Sequence, residues 1–268
     1  MNWEKLNIRE FKQAVADSKG VCLLPMGCLE KHGDHLPLGT DLLCARDVAF
    51  RAAEIEPAVV FPSYPFGQVS EVRHFPGTIA IDARLQMEVL QALCDEIARS
   101  GLNKIILVNG HGGSIMMARF FAQSQLDRRR DYTVYVFEHW MSVEQLQRVN
   151  ETHGTPDGGG HADLGETSLV MAQDPALARM ENVNAEESRP LGRLAHLRGV
   201  YTGIGWYADY PHQFAGNPVG ATPERGAMMR DFCVANLVEA IRSVKLNNTA
   251  AELQNEFFTR CEKSCGQR

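Results

Sequence analysis

The run Leu24-Pro25-Met26-Gly27-Cys28-Leu29-Glu30-Lys31-His32-Gly33-Asp34-His35-Leu36-Pro37-Leu38-Gly39-Thr40-Asp41 decides how the chain is read. Its opening continues the apolar stretch 21–25, the pattern of a strand buried on both faces of a parallel sheet. That strand empties into a loop dense in carboxylates and imidazoles. Glu30 and His32 are two apart, so in extended backbone they project to the same face. Asp41 returns after a Pro-containing loop, and Thr40-Asp41 also suits the opening of the next helix. Two carboxylates and an imidazole in so short a span suit a hard divalent metal, with the nitrogen favouring zinc or manganese. A solvated polar loop explains any one pair of these residues. The whole string follows a strand end, and that is where open α/β sheets bind ligands.

Outward from that run, helical and strand patterns alternate. Asn7 caps a helix over 8–18, stopped by Gly20. Helical spacing covers 42–56 ahead of Pro57, then a short β-rich run spans 58–61, and 65–78 is a loop by its Pro and Gly content. A long amphipathic helix over 82–100 is closed by Gly101 and followed by a second buried strand, 104–108. Residues 114–130 read as helix and 133–137 as a β-branched, aromatic strand ending in Glu138-His139-Trp140. Ser142-x-x-Gln145 is a capping box for a helix to Asn150, ahead of a Gly-rich loop over 153–160. Residues 180–221 are loop-rich. Thr222 as N-cap, with Pro223 at the first helical position, opens a last long helix to about Lys245. The pattern predicts a single three-layer α/β/α domain over 1–246 with a largely parallel sheet, and a polar, weakly helical tail over 247–268.

Bulk properties exclude several function classes. The 268 residues are 44% hydrophobic and 22% charged, ordinary for a soluble globular protein with a substantial core. A net charge of -6 gives no attraction to nucleic acid or an anionic membrane. No apolar run reaches transmembrane length, and Met1-Asn2-Trp3-Glu4-Lys5 does not open a signal peptide. Seven scattered cysteines suit reduced thiols in a cytoplasm, and Cys261-x-x-x-Cys265 lacks a second ligand pair.

Two further segments carry chemistry. Asn109-Gly110-His111-Gly112-Gly113-Ser114 is a Gly-rich turn between strand and helix; it either gathers N–H groups around an anion or is a tight turn whose His packs. It is not a nucleotide fingerprint. His161-Ala162-Asp163-Leu164-Gly165-Glu166-Thr167-Ser168 opens another helix, where Glu166 by itself is an ordinary first-turn acid. No G-x-S-x-G is present to support a serine hydrolase.

The opening run resembles the signature of the creatininase (creatinine amidohydrolase) family, roughly P-x-G-S-x-E-x-H-G-x-H-L-P-L-G-T-D. Cys28 stands where the family usually has Ser. Gly67, Glu71 and Phe75-Pro76-Gly77-Thr78 resemble its G-x-S-x-E-H-x-x-F-P-G-T loop, with Val69 and Val72 replacing Ser and His and His74 close by. The turn 109–114 is similar to N-G-H-G-G-N, segment 161–168 to H-x-G-x-x-E-T-S, and 216–226 to G-x-P-x-x-A-T-x-E-x-G. The resemblance implies a pair of divalent metals, zinc and/or manganese with iron as a third option. Glu30, His32, Asp41, His111 and Glu166 are the implied ligands, Asp41 the bridge and His161 the proton carrier. Glu71, His74 and Trp140 are the expected substrate-binding residues, while Glu138 and His139 are weaker ligand candidates. The family's namesake enzyme has a metal-binding Glu where this chain has Gly113, and Glu166 is the expected replacement.

The implied reaction is attack by a metal-activated hydroxide on a small cyclic amide, formamide or related carbonyl compound. Val69, Val72, Asp157 and Gly160 change the expected pocket away from creatinine, so a keto-cyclitol C–C hydrolase is the alternative within enzymes. A non-catalytic metal-binding relative is the alternative outside them, favoured by Gly113. The resemblance also implies a homo-oligomer, a hexamer by analogy.

Overall fold

The computed structural model describes residues 1–154 and 159–265. Strands β1 (Val21–Met26), β2 (Val59–Val60), β3 (Lys104–Asn109) and β4 (Thr133–Phe137) form one parallel sheet in the order β2-β1-β3-β4. The helices are α1 (Ile8–Asp17), α2 (Thr40–Ile55), α3 (Ala83–Arg99), α4 (Ile115–Ser124), α5 (Val143–His153), α6 (Leu164–Met171), α7 (Gly205–Asp209), α8 (Pro223–Leu246) and α9 (Thr249–Cys265).

Alternation along the central strands builds three layers. Val21, Leu23, Ile106 and Val108 pack with Val48, Ala49 and Ala52 of α2 and with Leu237 and Ile241 of α8. Cys22, Leu24, Met26, Ile105 and Leu107 face the other way, onto Ala14 of α1, Leu90 and Ile97 of α3 and Phe121 of α4. Every β1 residue is buried, which is why the sequence shows a continuous apolar run. Each such Leu or Ile contributes about 1.5–3 kcal/mol by leaving water.

The capping signals form as read. Asn7 accepts from the N–H groups of Arg9 and Glu10, Ser142 and Gln145 bond reciprocally, and Thr222 accepts from Arg225 N–H. Helix α5 continues past Asn150 to His153, closed by Gly154 at φ 69°. Two stretches differ from expectation. The helix expected over 114–130 ends at Ser124 and tightens to a 3-10 turn over Gln125–Asp127. There Gln125 turns inward onto Gln91 and Arg130 Nη1 donates to Gln125 O, returning the chain to β4. The polar tail forms α9, held by buried Phe258, by Thr133 Oγ1 donating to Gln254 Oε1 (2.6 Å) and by Arg129 pairing with Glu262.

The fold places the site through β1 and β3. Their register runs to Met26 opposite Asn109, so the loops after both strands leave the sheet at one level. Helix α2 starts between them. A Cβ at Gly27 would come within 2.7 Å of Asp41 Cβ, and one at Gly110 within 2.6 Å of Asp41 O. Only glycine at both positions lets the first turn of α2 sit there. Among the described residues no helix is long and apolar enough to cross a membrane.

Candidate active site

Glu30, His32, Asp41, His111 and Glu166 converge at these strand ends. Leu38 O accepts from Glu30 N–H (3.0 Å), and Gly33, at φ 56°, reverses the chain between His32 and His35. Glu30 is 1%, His32 0% and Asp41 3% exposed, so ionised groups here must be matched by opposite charge rather than by water. His32 Nε2 lies 3.2 Å from Asp41 Oδ1 and 3.8 Å from Glu166 Oε2. His111 Nδ1 lies 3.0 Å from Glu30 Oε1 and 3.1 Å from Asp41 Oδ2. Asp41 therefore turns one oxygen to each imidazole.

The hydrogen bonds around His111 decide what the cluster can hold. Its Nε2–H donates to Gln68 O (2.8 Å), because a carbonyl can only accept. In the neutral ring, Nδ1 then aims a lone pair at two carboxylate oxygens. Glu30 Oε1 and Asp41 Oδ2 are both buried, and among the described residues no donor other than the His111 ring faces them. Lone pair and anions repel unless a proton or a metal cation lies between them. Triads within ligand reach recur across the cluster: Cys28–Asp41–His111, Glu30–His32–His161 and His32–Asp41–Glu166. This donor set of oxygens and imidazole nitrogens fits zinc or manganese.

The protonation states point the same way. Burial disfavours a charged His32, but Asp41, Glu166 and Glu30 raise its pKa to about 10. Burial likewise opposes a charged His111, and Glu30 and Asp41 hold it well above the imidazole range. Burial works against ionised Glu30 and Asp41, yet the imidazolium rings keep both below the ordinary carboxylate range. Raised histidines stabilise the ion-free protein fully below about pH 6.5, a contribution lost as pH climbs, for His32 toward about 10. The lowered carboxylates contribute above about pH 4.5 and lose this as pH falls. A metal ion must displace the imidazolium protons. Apparent affinity for zinc is expected to rise about tenfold per pH unit per ion between pH 6 and 8, with protons released into a weakly buffered titration. Affinity flat with pH would show that the rings are already neutral.

The segment after 160 supplies the opposite wall. His161 Nε2–H donates to Lys31 O (2.8 Å), and its ring lies 4.1 Å from that of His32, centroid to centroid. Ala162 adopts φ 56°, a left-handed conformation uncommon for a residue with a Cβ. His35 Nε2–H donates to Ala162 O (3.1 Å), and burial holds the His35 pKa down at about 4, keeping it neutral. The turn sends Ala162 N–H to Glu166 Oε2 (2.6 Å), while Asp163 caps α6 through Glu166 N–H.

A cavity of about 800 Å³ opens beside the cluster. Glu30, His111, His161 and Glu166 line it, as does Glu71, whose Oε2 accepts from Gln68 Nε2 (2.7 Å). His74 does not line it; its Nε2–H donates to Pro211 O on the exposed side. Trp140 and Glu138 border a smaller recess of about 120 Å³ that shares His111 and Gly112 with the main cavity, and Trp140 Nε1–H donates to Asn109 O, bracing the turn that carries His111. Val69 and Val72, expected to make the pocket less polar, are instead buried with Cys28 and stay off its wall. Gly160 is on the wall, whereas Asp157 lies outside the described residues. The sequence reading missed Gln68, Trp206 and Gln213. Trp206 stands edge-on to His161 and its Nε1–H donates to Gln213 Oε1.

Gly113 is occupied space rather than a gap. A Cβ there would lie 2.6 Å from His111 Nε2 and 3.1 Å from Gln68 Oε1. Gly113→Ala is therefore expected to push the His111 ring and weaken ion binding about tenfold, read by competition with a chromophoric chelator. Unchanged affinity would show that the ring can move freely.

A family model described as Creatininase, creatinine amidohydrolase, matches residues 4–241. The creatinine amidohydrolase of Pseudomonas putida is 27% identical over 261 residues, covering 89% of this chain and 95% of its own. The mycofactocin precursor peptide peptidase of Mycobacterium ulcerans (strain Agy99) is 30% identical over 231 residues, covering 80% and 83%. A crystal structure of creatinine amidohydrolase (creatininase) superposes with a TM-score of 0.76 at 25% identity, covering 92% of this chain and 98% of that chain.

Proposed function

The chain belongs to the creatininase family, and on that footing we propose that it is a metal-dependent hydrolase of the C–N bond in a small cyclic amide, formamide or related carbonyl compound. The observation that carries the reading is His111 Nδ1 facing two buried carboxylate oxygens that no other group satisfies, a gap that takes either a proton or a metal ion. Glu30, His111 and Asp41 would hold one divalent ion, and His32, Glu166 and the other oxygen of Asp41 a second. Zinc or manganese held there supplies acidity to a coordinated water and polarises a carbonyl.

The chain's own residues do the rest. His161 keeps Nε2–H on Lys31 O, so Nδ1 is the nitrogen that accepts a proton from the attacking water. The same nitrogen returns it to the departing amine. Trp206 covers the outer side of that ring and limits bulk water. Gln68 locks the His111 tautomer and, paired with Glu71, offers polar groups to the substrate.

We place the catalytic unit at 1–246, with 247–268 appended, in a reducing cytoplasm; all six cysteines with described side chains are free. A homo-oligomer is proposed on family membership, and exposed Phe120, Val143 and Ile204 are apolar surface that an interface could cover. The test is a screen of metal-reconstituted protein against lactams, formamides and keto-cyclitols, read by product mass. A lactam or formamide product heavier by one water, formed only with ions bound, is expected. Turnover that persists after chelation, or none with any amide, would contradict the reading.

A further inference from the structure

We infer that the substrate is an amide bearing an amino group on an apolar body larger than a simple lactam ring, and that phosphate- or carboxylate-bearing amides are disfavoured. The inference rests on the hydrolase reading and adds its substrate class.

Size is the first observation. A cavity of about 800 Å³ lies in the upper part of the range that accommodates drug-sized ligands, far more than one small ring fills. Its lining is of two chemical kinds. The cluster and Glu71 are polar, while Met116, Leu194, Leu197, Val200 and Trp206 add apolar surface. Leu197 and Val200 are 44% and 67% exposed, apolar surface that a bound apolar group would take out of water.

Charge is the second. No lysine or arginine lines the cavity among the described residues. Two of the cations beside it are committed elsewhere, and Arg198, between Leu197 and Val200, is exposed and does not line it. Lys31 Nζ sits 2.9 Å from Asp34 Oδ1 and over the Phe75 ring, and Arg193 donates to the carbonyls of Ala208 and Tyr207. Once Glu30, Asp41 and Glu166 are matched by bound cations, Glu71 and Asp209 remain as wall charges. Glu71 is placed by Gln68, and Asp209 Oδ1 accepts from Gly192 N–H (2.9 Å). Away from the ion positions, a phosphate on the substrate would face two carboxylates and no lining lysine or arginine; an ammonium group would find partners.

The test uses metal-loaded protein and calorimetry with four hydroxamates, which need not turn over. Leucine hydroxamate is expected to bind at least about tenfold tighter than N-succinyl-leucine hydroxamate, with the N-acetyl compound between them. Acetohydroxamate, which lacks the apolar body, is expected to bind at least about tenfold more weakly than leucine hydroxamate. Glu71→Gln and Asp209→Asn should each narrow the amine-over-succinyl ratio at least about threefold, with folding checked by circular dichroism. Succinyl binding equal to or tighter than the amine, acetohydroxamate matching leucine hydroxamate, or no hydroxamate binding would each overturn the inference. If the protein still hydrolyses a lactam or formamide in those cases, the hydrolase reading stands alone. If it hydrolyses no amide, both are lost.

Discussion

Asp41→Asn is expected to empty both ion positions together. One carboxylate turns its two oxygens to two imidazoles, so its replacement removes a ligand from each position at once. Removing one partner from a buried charged pair costs about 3–5 kcal/mol, roughly 10²–10⁴ in affinity. Equilibrium dialysis followed by elemental analysis should show both ions lost at concentrations that saturate the unsubstituted protein, and turnover should fall with them. The comparison is Asp47→Asn. Asp47 pairs with half-exposed Arg51 one turn along the same helix and stands 3.8 Å from Arg230 Nε, away from the cluster, so its replacement is expected to leave both ions bound. Retention of one ion in the Asp41 variant would mean that the two positions do not share this ligand.

The second large effect falls on chemistry alone. His161→Ala is expected to lower kcat by about 10²–10⁴ and leave both ions bound. His161 lies within ligand reach of Glu30 and His32, so a role as ligand is a concrete alternative. Elemental analysis separates the two. Loss of an ion with the imidazole would make His161 a ligand, and an unchanged kcat with both ions present would remove it from proton transfer.

The parts of this site written locally were legible in the sequence. Glu30, His32 and Asp41 follow a strand whose both-face burial is visible as an apolar run, and their spacing fixes their placement. His111 was legible as a Gly-rich turn, but its ligand role came from resemblance, since nothing local shows Glu30 and Asp41 opposite its ring. Trp206 and Gln213 were not legible. They sit in an aperiodic, loop-rich segment, and only tertiary folding carries it over His161. Val69 and Val72 misled because a side chain's replacement was visible and its direction was not; both point into a small core with Cys28. Helix α9 has a weak apolar signal because its hold on the body is mostly polar and long-range, through Thr133 and Arg129.

The central claim is that two cations share Asp41. Anomalous diffraction from crystals of zinc- or manganese-loaded protein tests it most directly. The account predicts two peaks, one against Glu30 Oε1, Asp41 Oδ2 and His111 Nδ1 and the other against His32 Nε2, Asp41 Oδ1 and Glu166. A fully loaded protein with a single peak, or with peaks away from Asp41, would contradict it.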